Sequence, residues 1–206
     1  MDGIVGIFPT PLFIGRKLVP KPLLARLIEQ FEASETGANV RTGLLTHTPT
    51  ASPQTHENYK AVLSLVSPAV QTYGEALLGE RLAWGIKEIW INRMEQGGAQ
   101  KLHNHANSFI SGILYITDTH PASATVFYRN VGAQSFVMSN ENKRCKMTAF
   151  NSPVFQVPDV GAGDLVLFPS YMMHEVPPNQ GEPRLTAAFN ALPERLDSWG
   201  YQVQFR

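Results

Sequence analysis

With a single cysteine, Cys145, the chain has no capacity for an internal disulfide, and the expectation is a reducing compartment, by default the cytoplasm. A surplus of either charge is missing as well: 17 Lys plus Arg stand against 17 Asp plus Glu, so the formal net charge is zero. Without a positive surplus there is no long-range field to gather phosphate backbones, and no nucleic-acid partner is indicated. No run of about 18 uninterrupted apolar residues occurs, the length a membrane-spanning helix needs. The opening MDGIVGIFPTPLFIGRK lacks a basic segment followed by a long apolar one, so neither export nor membrane spanning is expected. Repeats and low-complexity tracts are absent too. What is present suffices for a core: hydrophobic residues make up 43% and aromatics 10% of 206 residues. That length suits one domain over residues 1–206, with an N-terminal strand and supporting helices in 1–80 and a β-rich core in 81–206.

The pattern along the chain is helices first and strands after, which argues α+β, mainly β. Residues 4–14 are β-branched and aromatic but carry Pro9 and Pro11, and proline cannot donate to a central ladder, so an edge strand is expected. Leu23, Leu24, Leu27, Ile28 and Phe31 recur at helical spacing and predict an amphipathic helix. Residues 35–56 are rich in Thr, Gly, Ser, Asn and Pro and read as a long exposed loop, a candidate lid over a pocket. Helical spacing returns over 57–80, where Pro68 is expected to break the helix or open a second one. Seven short β-rich runs follow: WGIKEIWINRM, SFISGILYITD, ATVFYRN, QSFVMSN, VFQVPDV, DLVLFPS and LTAAFNAL. Many short strands at close spacing predict a sandwich or barrel-like fold.

Three of six histidines fall inside or beside those strands. His103 and His105 are two apart, so on a strand both imidazoles face one side and could meet one metal. His174 closes GDLVLFPSYMMH and could bring a third. Taken alone, an HxH pair is common by chance and a lone histidine is usually structural. His47, His56 and His120 sit in expected loops and are given no role. After His174 the chain reads HEVPPNQGEPRLTAAFN, with Arg184 ten residues on and Thr186 two further, on one strand face. The planar guanidinium suits a carboxylate bidentately and a hydroxyl adds a donor. Singly, each would be an ordinary surface or strand residue.

From WINRM through HNHANSFISGILYI, GAGDLVLFPSYMMHEVPPN and RLTAAFN, about the last 115 residues, the sequence resembles the 2-oxoglutarate and Fe(II)-dependent oxygenases. It looks in particular like a group of bacterial and phage proteins related to the prolyl 4-hydroxylases. The resemblance implies a double-stranded β-helix, a jelly roll of the cupin-like kind, with the N-terminal helices packed on one sheet. It implies Fe(II) as metal and 2-oxoglutarate as cosubstrate. His103 and His174 match the first and distal ligands, and Arg184 with Thr186 matches the clamp on the distal carboxylate. Asn92 and Tyr115 resemble positions that touch 2-oxoglutarate in relatives; either could equally be core. Position 105 departs from the family, where the spacing is usually HxD or HxE. Either His105 replaces the acid as third ligand, as HxH in the bacterial group suggests, or water fills that position. A neutral imidazole there leaves the ferrous site one unit more positive.

The activity implied is oxygenation, with hydroxylation as its outcome, of a small-molecule or peptide substrate that the sequence does not identify. Two other readings share the scaffold. A cupin-like three-histidine metalloenzyme without 2-oxoglutarate explains HxH but not Arg184 and Thr186. A non-catalytic binding module requires no metal. Trp199 and Tyr201 are candidates for a self-association surface of a homodimer.

Overall fold

The computed structural model describes residues 4–39, 42–129, 140 and 142–205. Among these residues two α-helices, α1 (Lys21–Glu32) and α2 (Glu57–Leu78), accompany thirteen strands. These are β1 (Phe13–Gly15), β2 (Gly37–Ala38), β3 (Leu45–His47), β4 (Trp84–Met94), β5 (Gln100–His103), β6 (Ile110–Tyr115) and β7 (Val126–Tyr128). The remainder are β8 (Val154–Gln156), β9 (Leu165–Pro169), β10 (His174–Val176), β11 (Arg184–Pro193), β12 (Arg195–Ser198) and β13 (Tyr201–Gln204). A large sheet runs in the order β1-β9-β6-β11-β4-β3-β2 and a smaller one in the order β5-β10-β7-β8. Strands β12 and β13 form a separate hairpin. Every named strand pair is antiparallel, and the architecture is the double-stranded β-helix.

Alternation along the strands divides the interior in two, because successive side chains face opposite sides of a sheet. Ile89, Ile91, Leu114, Leu167, Leu185 and Phe189 leave the large sheet on one face and meet Leu24, Leu27, Val66 and Val70 of the helices. On the other face Ile113, Tyr115, Val166 and Phe168 pack with Phe127 of the small sheet. This second face also carries the inward residues of β4 and β11, and there the polar site is built.

Four expectations change. The N-terminal edge strand exists but covers only Phe13–Gly15, paired with β9, and residues 4–12 form none. Helix α2 runs unbroken through Pro68. Its buried stripe of Val62, Val66, Val70 and Tyr73 continues on both sides of the proline, so packing outweighs the lost N–H. His56 Nδ1 accepts from Asn58 N–H at the helix start, and Gly79 (φ 74°) closes its end by donating to Glu75 O. The stretch read as a loop over 35–56 contains two short strands instead, and β3 pairs with β4 through Leu45↔Met94 and His47↔Asn92. Thr48 N–H donates to Ile91 O, and Ala51 bridges Ile89, so residues 45–51 run along the edge of β4. The β12/β13 hairpin was not expected. Its turn places Trp199 (φ 45°) and Gly200 (φ 91°) in the left-handed region that two-residue hairpins favour. The expected run at 134–140 lies outside the described residues except for Asn140, which is in no strand. No described helix is long and apolar enough to cross a membrane.

Candidate active site

Pairing of β5 with β10 sets His103 directly opposite His174, and the ring centroids are 4.2 Å apart. Nδ1 of His103 lies 2.7 Å from Lys101 O and Nδ1 of His174 2.9 Å from Met172 O. A carbonyl can only accept, so Nδ1 carries the proton in each ring and Nε2 carries the lone pair. That arrangement is usual behind metal-ligating imidazoles.

His105 arrives differently from the expectation. Strand β5 ends at His103, so a shared strand face is not what joins the pair. Instead His105 N–H donates to Ser170 O at 3.0 Å, which folds the chain back toward the β9–β10 turn. Its ring stacks on His174 with centroids 5.2 Å apart and on Trp90 at 6.0 Å. The three histidines each offer a nitrogen, and these atoms lie within 4.8 Å of one another. Burial, reinforced by His103, pushes His105 down to about 4 and His174 down to about 3. Both rings are therefore neutral at physiological pH, the form that binds a metal.

Arg184 and Thr186 open β11 on its inward face, and both are only 3% exposed. Nε and Nη2 of Arg184 are buried without any hydrogen-bond partner. Burial also lowers the guanidinium from its ordinary range. The Tyr115 ring packs against it, its centroid 5.1 Å from the guanidinium carbon. A buried cation lacking a carboxylate is costly, and such groups are normally paired. Arg184, Thr186, Asn92 and the three histidines line one cavity of about 310 Å³, within the range of small-molecule sites. Asn92 and Tyr115 flank Thr186 from either side in register. Of the two, Asn92 lines the cavity. Tyr115 is fully buried, hydrogen-bonds Thr125 Oγ1 through its hydroxyl at 3.1 Å, and supports Arg184 from behind.

The cavity wall also contains residues that sequence reasoning passed over. Trp90 was legible, being two residues from Asn92 on the same strand face. His47, Asn39 and Thr50 come from the segment read as a loop, and nothing local in sequence marked them. His120 accepts from Ala122 N–H at a short turn, and with His56 it is a cap.

A family model described as "Putative 2OG-Fe(II) oxygenase" matches residues 88–190, half of the chain. No curated protein matches the sequence. Among solved structures, HygX from Streptomyces hygroscopicus, crystallised with nickel and 2-oxoglutarate, superposes with a TM-score of 0.63 at 13% identity. That match covers 89% of this chain and 83% of HygX. A prolyl-4-hydroxylase from Pseudomonas putida gives a TM-score of 0.61 at 17% identity, over 89% of this chain and 93% of the other. SnoN, a non-heme alpha-ketoglutarate-dependent epimerase from nogalamycin biosynthesis, gives 0.64 at 13% identity, over 90% and 77%.

Proposed function

Because the chain belongs to the 2OG-Fe(II) oxygenase family, we propose that His103, His105 and His174 hold its ferrous iron and that Arg184, Thr186 and Asn92 hold its 2-oxoglutarate, for hydroxylation of a small-molecule or peptide substrate. The observation that carries this reading is Arg184: a buried guanidinium with Nε and Nη2 unpartnered, at the cavity that the three imidazoles share. Those donors fit a carboxylate fork. The donor set fits ferrous iron, since three imidazole nitrogens would leave positions open for a chelating cosubstrate and dioxygen.

When bound, iron and cosubstrate supply the oxidising chemistry, and the protein contributes orientation and exclusion of water. Carbonyl oxygens of Lys101 and Met172 fix the ring orientations of His103 and His174. Arg184 offers two N–H donors and charge to the distal carboxylate, while Thr186 presents a hydroxyl from the same strand face. Tyr115 acts on Arg184 as a positioning residue. Ile113, Phe168 and Ala188 give the same cavity an apolar wall that would exclude water. On the strand β3 side, His47, Asn39 and Thr50 face the cavity and are the residues that would read the substrate. The lone Cys145 is compatible with a cytoplasmic site of action.

The test is anaerobic loading with Fe(II), addition of 2-oxoglutarate, then admission of oxygen with assay of succinate. Succinate formed only with iron present is the expected result. Iron retention without 2-oxoglutarate binding would favour the cosubstrate-free metalloenzyme, and failure to retain iron would favour a binding module.

A further inference from the structure

Beyond the cavity, the inward face of the large sheet continues into a buried polar chain that the proposed mechanism does not use. Asn190 of β11 donates through Nδ2 to Glu88 Oε1 at 2.7 Å, its partner in register on β4. Ser111 donates to Asn190 Oδ1 at 2.8 Å, and Ser170 Oγ, which donates to Ser108 Oγ at 3.0 Å, also lies 2.9 Å from Ser111 Oγ. Ser111, Ser170 and Asn190 are 1–3% exposed. A carboxylate only accepts. With Ser111's proton committed to Asn190, every contact between Ser111 and Glu88 has its donor pointing toward Glu88, and such chains polarise and strengthen one another.

The far end of the chain is the histidine site. Ser170 O is the acceptor that turns His105 into the cluster, and Ser170 N–H donates to Phe109 O. One residue thus joins the segment bearing His105 to the turn leading to His174. Trp90, two residues from Glu88 on the same face of β4, stacks on the His105 ring. A polar cluster of this depth is worth little as stability, since burying it costs about what its hydrogen bonds return. Holding a ligand in place is a use that justifies it.

Resting on the reading of the histidines as iron ligands, we propose that Glu88 is a positioning residue for His105, which it holds through Asn190, Ser111 and Ser170, and that it returns to this site the negative charge absent at position 105. The HxH variant would then keep an acid, moved from the first coordination sphere to a neighbouring strand.

Two variants of the full chain separate charge from connection. Glu88→Gln retains an oxygen for Asn190 and removes the charge. Expected are apo thermal unfolding close to wild type, Fe(II) affinity weakened roughly 10- to 100-fold, the usual cost of losing an outer-sphere partner, and a more positive Fe(III)/Fe(II) potential. Ser111→Ala keeps the charge and cuts the connection. Its Co(II)-loaded form should show altered ligand-field bands as His105 shifts, with Glu88 still in place. Wild-type iron affinity and potential in Glu88→Gln overturn the role in charge, and an unchanged Co(II) spectrum in Ser111→Ala overturns the role in positioning. Should Glu88→Gln fail to fold, the Ser111→Ala spectrum decides. A wild-type protein that takes up neither Fe(II) nor Co(II) removes the iron-site reading and this inference together, whereas a metal-binding wild type with unresponsive variants removes the inference alone.

Discussion

Replacing Arg184 by methionine should move binding and stability in opposite directions. The guanidinium is 3% exposed, and two of its nitrogens lack partners. In the ligand-free protein it is therefore a desolvated charge compensated chiefly by the face of Tyr115, a contact worth about 0.5–2 kcal/mol. Substituting buried ionic groups by apolar residues of similar volume often stabilises by about 1–4 kcal/mol. At roughly 2–4 °C per kcal/mol for a chain of this size, Arg184→Met should melt a few degrees higher when free of ligand. In the proposed complex the same group would be the partner of a carboxylate, and truncating one side of such a buried pair costs about 3–5 kcal/mol. With a factor of ten per ~1.4 kcal/mol, affinity for 2-oxoglutarate should fall by roughly two to three and a half orders of magnitude. Calorimetric titration of the Fe(II)-loaded variant without oxygen measures the second effect, and thermal unfolding of the apo protein the first. An unchanged 2-oxoglutarate affinity refutes the clamp. A melting temperature lowered by many degrees refutes the claim that Nε and Nη2 of Arg184 lack partners in the ligand-free protein.

Smaller changes follow the same logic. Thr186→Val keeps the shape and removes one hydroxyl donor, so 2-oxoglutarate affinity should weaken several-fold, by about 0.5–1.5 kcal/mol, with iron affinity unchanged in the same titration. The depressed His105 and His174 predict the pH dependence of the apo protein. Above about pH 6.5 neither state binds protons there; from 6.5 down to about 4 and about 3 the unfolded chain protonates first, and stability is lost as pH falls. The slope is about 1.4 kcal/mol per pH unit for each imidazole, and a urea midpoint unchanged between pH 7.5 and pH 5 would contradict it. Gly112→Ala would set a Cβ inside the Phe189 ring on the helix-facing side of the sheet. Overpacking there should destabilise by about 1–3 kcal/mol, read as a lower urea midpoint.

How much of this was legible in the sequence depends on how local each signal is. His174, Arg184 and Thr186 sit in one short stretch at fixed spacings and His103 in the HxH pair, and the structure brings all four to one cavity. His105 reached its place for a reason that spacing does not show, a hydrogen bond to Ser170 some 65 residues away in sequence. Pro68 misled because a local rule for proline was overruled by a buried valine stripe. Residues 35–56 misled because Gly37–Ala38 and Leu45–His47 are too short to show any period, and their strand character comes from pairing with β4. The Glu88 chain draws on β4, β6, β11 and the turn after β9, and no linear reading assembles four segments.

The claim beneath all of this is that three imidazoles from two segments share one ion. Equilibrium dialysis against Fe(II) without oxygen, followed by metal analysis, tests it on wild type and on His174→Ala. Wild type should retain one iron per chain and His174→Ala close to none. Equal iron in the two proteins, or none in the wild type, would contradict the account.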